Sequence, residues 1–340
     1  MDPLTHALAS YTLKRAAFPR LPRSATLAML LAGTFADLDL LSSYFGPSAY
    51  LILHRTYLHS LTSAILFSLI VSFPFLRRKT QPPSDSISPA IVFKVSLAAA
   101  LLHLLLDLTQ SEGVELLWPF SPRRFALDWT AHVDLWILAI FLAAVLLPLI
   151  SGLVIEEIGA KSKGPRGRTG AVIAFVALIL YLAARFILHN SAVATMEART
   201  YRGESAKKVA AFAEPGSLFR WHGIVETESA LHDVEVEVGP AAANFDPDSA
   251  VTSYKPEPLP ALDAARNSAA ARRFLRAARF PKATVENTPE GFHVILRDFP
   301  YARDASSGCP VEAVIDVDLS GKILSENLDW DANRRKVWWR

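Results

Sequence analysis

The chain has 340 residues, a hydrophobic fraction of 51% and a net charge of only +2, with a mean hydropathy of +0.25. Hydropathy that high directs attention to membrane spans before any soluble fold, and the near-balanced charge offers nothing for nucleic acid. The single cysteine, Cys309, excludes an intramolecular disulfide and a cysteine-based metal cluster, and reads as a buried apolar residue.

The first ten residues carry Asp2 and His6 with no basic stretch ahead of an apolar core, so no cleaved leader is expected. Residues 3–41 read as a helical hairpin. Its second arm is apolar only over residues 24–36. Those 13 residues make roughly 20 Å of helix, which is short of a crossing. With the bend near Leu21, His6 lies 15 residues before it and Asp37 lies 16 after it, which puts both at one height.

Four longer apolar runs follow, at residues 58–76, 90–108, 133–155 and 170–188. Each approaches the roughly 20 residues that a membrane helix needs. Basic residues cluster at Lys14, Arg15, Arg20 and Arg23, at Arg77, Arg78 and Lys79, and at Lys161, Lys163, Arg166 and Arg168. Placing these clusters in the cytoplasm sends the loop at 109–132 and the C-terminal part outside, although Arg123 and Arg124 then fall on the wrong side. The chain is therefore expected in the inner (plasma) membrane with an extracytoplasmic C-terminal domain.

After His189 charges and prolines become frequent and no later run can span. The fold class expected is a mainly α-helical multi-pass membrane domain over residues 1–190, followed by a small soluble α+β domain over 195–340. Residues 230–238, 291–298, 311–319 and 323–328 alternate as strands, the last two joined in a hairpin through Ser320-Gly321. Residues 264–279 read as one helix. The ending at 330–340 mixes Trp330, Trp338 and Trp339 with Arg334, Arg335 and Lys336, suited to lipid headgroups or to packing on its own domain.

Polar residues at the ends of spans are costly and tend to mark function. Here His54, His59, His103, Asp107, Asp128, His132 and Asp134 fall at one face, with Asp37 and Asp39 at matching depth. His103 and Asp107 stand at i and i+4 among leucines, so both project from one helix face and can share a metal centre. Asp37 and Asp39 are roughly 200° apart on a helix and converge only if the helix ends there; helix termination at water is the lesser alternative. His6, Asp37, Asp39, His54, His59, His103 and Asp107 are the candidate metal ligands. Imidazole with carboxylate suits zinc, manganese or iron. Seven donors exceed the needs of one tetrahedral ion, so two ions are admissible, and such a pair can drive phosphoester hydrolysis. Asp128 and Asp134 are the candidate general bases. His132 reads equally well as a loop residue, His189 as an interfacial one, and His222, His232 and His293 as structural or surface histidines.

These residues resemble, in order, the YdjM-like family of membrane-bound metal-dependent hydrolases. The opening Met1-Asp2-Pro3-Leu4-Thr5-His6-Ala7-Leu8 is similar to the family's start. Ala36-Asp37-Leu38-Asp39 is similar to its Pro-Asp-x-Asp element, with Ala36 in place of proline. His54-Arg55-Thr56-Tyr57-Leu58-His59-Ser60 resembles its His-Arg-Gly-x-Thr-His-Ser element, with Thr56 and Leu58 as departures. His103-Leu104-Leu105-Leu106-Asp107 resembles its His-x-x-x-Asp element, and the stretch from Leu117 through Arg124 and Asp128-Trp129 to Asp134 its next one. The resemblance covers about residues 1–140. It implies metal-dependent hydrolysis, a divalent cofactor such as zinc or manganese, and a distant likeness to zinc phospholipase C and nuclease-type enzymes. The expected function is a membrane-bound hydrolase acting on a phosphoester or lipid-like substrate, with membrane lipid as partner and no nucleic acid. The alternatives are haem held between histidines of different helices, and a non-enzymatic membrane scaffold or ion transporter.

Overall fold

A computed structural model describes residues 1–76, 87–157, 167–239, 243–299 and 309–331. The basic clusters at 77–79 and at Lys161, Lys163 and Arg166 lie outside these residues, as do the tail tryptophans 338 and 339. Contacts divide the chain into two units, one of Met1–Asp39 with Arg55–Phe186, the other of Leu40–His54 with Ile187–Arg340. The first is helical and the second is rich in antiparallel sheet, so the chain is a helical membrane domain with an α+β domain.

In the first unit, helix α1 spans Pro3–Ala17. Asp2 caps it by accepting from Thr5 N at 2.9 Å, and Pro3, lacking an N–H, suits its first turn. Helix α2, Arg23–Thr34, passes into a tighter 3₁₀ segment, Phe35–Phe45. Together these 23 residues are long and apolar enough to cross a bilayer, which corrects the expectation that this arm is too short. The helical path continues past Asp37 and Asp39 because both carboxylates meet imidazoles inside the protein, so they need not end the helix at water. A short helix α3, Pro47–Leu53, follows and belongs to the second unit.

Helix α4, Leu61–Ser72, with one added 3₁₀ turn reaches Leu76 and falls short of the spanning length. A crossing was expected over 58–76. The helix begins later because Ser60 caps it, accepting from Ser63 N at 3.1 Å, which leaves His59 in the preceding turn. Helices α5 (Pro89–Leu108), α6 (Leu135–Glu157) and α7 (Arg168–Glu197) complete the unit and contain the other three candidate spans. Four helices among the described residues thus have spanning length and composition, but the set differs from the one expected.

Helices α2 and α4 both pack on α5. Small buried side chains make the approach close: Ala25, Ala28 and Ala32 on α2, Ala64 on α4, Ala99 and Ala100 on α5. Gly33 is the tightest point, since a Cβ there would lie 2.0 Å from Ser10 Oγ and 3.3 Å from Ala99 Cβ. Large apolar side chains such as Leu147, Ile150, Ile173, Ile179 and Leu180 face outward, as a hydrocarbon solvent requires.

The second unit holds strands β1 (Thr200–Tyr201), β2 (Glu204–Ser205), β3 (Lys208–Ala213), β4 (Arg220–Glu226), β5 (Ala230–Val238), β6 (Ala243–Asn244) and β7 (Val251–Tyr254). Strands β3 to β7 form one antiparallel sheet around β5. Helices α8 (Pro260–Arg266) and α9 (Ala269–Ala277) precede β8 (Pro281–Thr288), β9 (Gly291–Asp298), β10 (Val311–Asp318) and β11 (Ile323–Trp330), which form a four-stranded meander. The strand expected at 230–238 and that at 291–298 coincide with β5 and β9. The β10–β11 hairpin turns at Gly321, which has φ +86°. The single helix expected over 264–279 is two, because Ser268 breaks in as the cap of α9, accepting from Ala271 N at 3.1 Å. Leu262, Ala265 and Phe274 from these helices pack on Val294, Leu296, Ala313, Ile315 and Val317, and Leu51 of α3 joins the same core. Trp330 stacks at a tilt on Tyr50, with ring centroids 5.4 Å apart.

Candidate metal centre

The centre grows from α5. Leucines surround His103 and Asp107 on that helix, so the polar pair turns inward, where each residue is almost fully buried. The two meet directly, His103 Nε2 lying 3.1 Å from Asp107 Oδ2. His59, in the turn before α4, places its Nε2 3.0 Å from the same oxygen, and the two Nε2 atoms are 3.4 Å apart. His6 of α1 stacks its ring on His103 at 3.7 Å between centroids and sets Nε2 3.3 Å from Asp107 Oδ1. Asp37 approaches from the 3₁₀ segment, with Oδ1 3.9 Å from His103 Nε2. Three imidazoles and two carboxylates from four separate elements therefore point into one volume.

The far sides of two rings show how they are held. His103 Nδ1 lies 2.9 Å from the carbonyl of Gly33, which can only accept, so the ring proton sits on Nδ1. His59 Nδ1 lies 2.8 Å from Asp39 Oδ2, and a carboxylate there fixes the same tautomer. Both Nε2 lone pairs then face each other and face an Asp107 oxygen. Such mutual opposition of acceptors is unfavourable unless a cation lies among them. Histidines that bind metals are oriented in this way, through a carboxylate or carbonyl on the other nitrogen.

The donor set fits a divalent cation on size as well. In a tetrahedral site with bonds of about 2.0–2.1 Å, neighbouring donor atoms stand roughly 3.3 Å apart. The triangle of His59 Nε2, His103 Nε2 and Asp107 Oδ2 has edges of 3.0, 3.1 and 3.4 Å. A second set, His6, Asp37 and His103, also has donor atoms within 4.8 Å of one another. His6 Nδ1 and Asp37 Oδ2 are buried without a hydrogen-bond partner among the described residues. Both sets use His103, whose Nδ1 is taken by Gly33, so its one remaining nitrogen serves one ion at a time.

Other candidates take different places. Asp39 stands one layer back, accepting from His59 and from the Arg55 amide at 2.7 Å. His54 falls in the second unit, its ring stacked on Tyr50 at 4.5 Å. Asp134 Oδ1 caps α6 through the amides of Trp136 and Ile137, both at 3.1 Å, and its Oδ2 accepts from Tyr181 at 2.7 Å. Asp128 is buried at a left-handed position, φ 60°, between amides that pair with the end of α5, Leu127 N with Leu108 O and Trp129 N with Thr109 O. His132 Nδ1 lies 3.3 Å from Glu112.

Around Asp107 lies a polar ring to which the sequence assigned no role. Arg55, buried at a left-handed φ of 56°, donates through Nη2 to Gln110 Oε1 at 2.7 Å and pairs through Nε with Glu112 at 2.7 Å. The same Nη2 lies 3.5 Å from Asp107 Oδ1. The Met1 amino group contacts that oxygen too and donates to Gln110 at 3.0 Å. The signals available for this ring were Arg55 itself, standing in the His-Arg element of the family resemblance, and the polar run Thr109-Gln110-Ser111-Glu112 that follows α5.

Spans of apolar helix enclosing a buried cluster of histidine and aspartate define a polytopic membrane protein with a candidate metal centre. The chain belongs to the YdjM inner membrane protein family, which it matches over residues 1–192, the helical unit with the whole cluster. Neither curated proteins nor solved structures yield a match.

Proposed function

We propose that the protein is a membrane-bound metal-dependent hydrolase acting on a phosphoester or lipid-like substrate. The observation that carries this reading is the convergence of His6, His59 and His103 Nε2 on the carboxylate of Asp107. His59, His103 and Asp107 would hold the cation, with His6 and Asp37 as further donors; zinc is favoured by the imidazole content and manganese is the alternative. A divalent cation held there would lower the pKa of a bound water and polarise a phosphoryl oxygen. The chain's own residues orient that chemistry. Gly33 and Asp39 fix the two imidazoles, and Arg55 with Gln110 steadies the outer oxygen of Asp107. Asp128 and Asp134 are the candidate general bases, and both oxygens of Asp134 are engaged in capping and in the bond from Tyr181. One ion is favoured over two, since the two donor sets share a single His103 nitrogen. The C-terminal domain is placed on the extracytoplasmic side, a placement that protease digestion of sealed inside-out vesicles would check by leaving that domain intact.

Gentle extraction of the full-length protein followed by elemental analysis tests the reading. Bound zinc or manganese is expected, together with hydrolysis of a chromogenic phosphodiester, and both should vanish in His103→Ala and Asp107→Ala. A protein that neither carries nor takes up either metal overturns it. Metal-free hydrolysis unchanged in both variants would also overturn it.

A further inference from the structure

Residues 264–282 hold Arg266, Arg272, Arg273, Arg276, Arg279 and Lys282 and neither an aspartate nor a glutamate, in a chain whose net charge is +2. Helix α9 turns this charge outward. Its Ala270, Ala271 and Phe274 are buried, while Arg272, Arg273 and Arg276 are exposed, as is Arg266 at the end of α8. The three arginines of α9 fall within about 100° of one another around the helix. Like charges at such spacing repel, and a helix of nine residues has little to offset that. Elsewhere in the sheet unit cations are offset: Lys207, Arg220, Lys255 and Arg297 each pair with a glutamate. Among the described residues no ion pair falls on Arg266, Arg272 or Arg276. The carboxylate beside Arg273, that of Glu326, already accepts from the Ala270 amide at 2.9 Å. The charge continues onto Lys208 of β3, held 4.1 Å from the centre of the Phe280 ring.

What lies close enough to meet this surface follows from the chain itself. Helix α7 has 30 residues and is about 45 Å long, the thickness of a bilayer with both headgroup layers. Ala192 and Met196 in its last turns already belong to the core of the sheet around β5, and only Ala198 and Arg199 separate its end from β1. The sheet unit is thus tethered at the headgroup layer, with no linker to carry it away. We infer that the arginine face of α9 docks on anionic lipid headgroups of the membrane that α7 crosses, and so fixes how the C-terminal domain lies on the bilayer. Guanidinium groups pair with phosphate through two parallel bonds, and an anionic leaflet attracts basic side chains that come within a Debye length of it, ~8 Å in physiological salt. The inference stands apart from the hydrolase reading, since none of these residues belongs to the metal centre.

The test uses full-length protein carrying Cys309→Ser and Ala269→Cys, which puts a single dye on the exposed arginine side of α9. It is reconstituted in vesicles of phosphatidylcholine with or without phosphatidylglycerol, each holding a trace of lipid with a nitroxide on its headgroup, which quenches the dye at close range. Several-fold stronger quenching is expected with phosphatidylglycerol than without it. The excess should disappear at about 0.5 M salt and in the triple variant Arg272→Glu, Arg273→Glu, Arg276→Glu. Replacing the same three arginines by lysine keeps the charge and should keep most of the excess, which separates loss of contact from loss of fold. Quenching equal in the two kinds of vesicle, or unmoved by charge reversal, overturns the inference. So does a dye shielded from soluble acrylamide in both kinds of vesicle alike, which would put a protein partner or a second copy of the chain on this face.

Discussion

Both halves of this chain bury histidines beside carboxylates or hydroxyls, and they do so in opposite ways. In the helical unit, His6, His59 and His103 arrive from α1, the turn before α4, and α5, and all aim at Asp107. In the sheet unit each histidine that lies on a strand has its own neighbour across a ladder. His293 meets Asp316 at 2.6 Å, and Asp316 in turn accepts from Ser325 at 2.6 Å, all three being direct partners on β9, β10 and β11. His232 meets Thr252 at 3.1 Å from the adjacent strand, and His222 lies 3.3 Å from Asp233. Pairing of the second kind is what two neighbouring strands produce whenever polar residues face each other. Convergence from separate elements on one carboxylate is not, and it raises the cost of burial unless a cation is present. The number of histidines is thus a poor guide to chemistry, and the number of elements aiming at one atom is a better one.

The largest effect expected from this contrast follows removal of the shared carboxylate. Asp107→Ala should abolish metal binding and phosphodiester hydrolysis, read by elemental analysis and turnover, whereas Asp316→Ala should leave both at wild-type level. Equal loss in the two variants would erase the distinction. A smaller effect is expected behind the centre. Asp39→Asn keeps size but replaces the carboxylate on His59 Nδ1, and metal affinity should fall by about 10–100-fold, as it does when such outer partners are changed. Competition with a chelating dye measures it.

Backbone contacts give a matched pair of substitutions. Gly33→Ala would press a methyl group on Ser10 and Ala99, with an overpacking cost of about 1–3 kcal/mol. Because the Gly33 carbonyl holds His103, weakened metal affinity should accompany the lower melting temperature, and pairing it with Ser10→Gly should restore part of both. Gly291→Ala would place Cβ 2.1 Å from Val317 O at a φ of +149°, destabilising the β9–β10 pair by a comparable amount. Metal content should stay unchanged there. A metal loss in Gly291→Ala would show that the two halves are coupled.

Much of this organisation was legible in the sequence. Hydropathy marked α5, α6 and α7 as spans, and the i, i+4 spacing of His103 and Asp107 among leucines marked the centre, because periodicity and burial act locally. Three features were not. The helix from Arg23 runs on to Phe45 because the carboxylates of Asp37 and Asp39 find imidazoles supplied from elsewhere in the chain. Asp39 supports His59 rather than facing inward, a choice set by the left-handed Arg55 whose amide it accepts. Leu40–His54 packs with the C-terminal unit through Leu51 and Tyr50, which carries His54 with it, although its sequence neighbours on both sides belong to the helical unit. Each depends on contacts far apart in sequence, where spacing is silent.

The smallest effect concerns a histidine of the sheet unit and its dependence on pH. His232 is 2% exposed, and burial is the main cause that holds its pKa below the ordinary 6.5, with Arg202 adding to the shift and Glu204 opposing it. Its ring is held neutral between Thr252 Oγ1 at 3.1 Å and Thr227 Oγ1 at 3.4 Å. The unfolded chain takes up a proton near pH 6.5 while the folded one resists, so the unfolded state binds more protons and stability rises with pH across this window. The contribution is complete above the unfolded pKa and is lost as pH falls from there towards the folded value. Thermal melts of the full-length protein from about pH 7.5 to about pH 5.5 should therefore fall less steeply in His232→Gln, whose amide can still bond both threonines. Other titrating groups shift both curves alike, so the difference between the two slopes isolates this residue. Identical slopes would mean that His232 takes its proton in the fold as readily as outside it. A change in metal content in the same variant would go further, making a ladder histidine part of the centre and removing the contrast between the two halves.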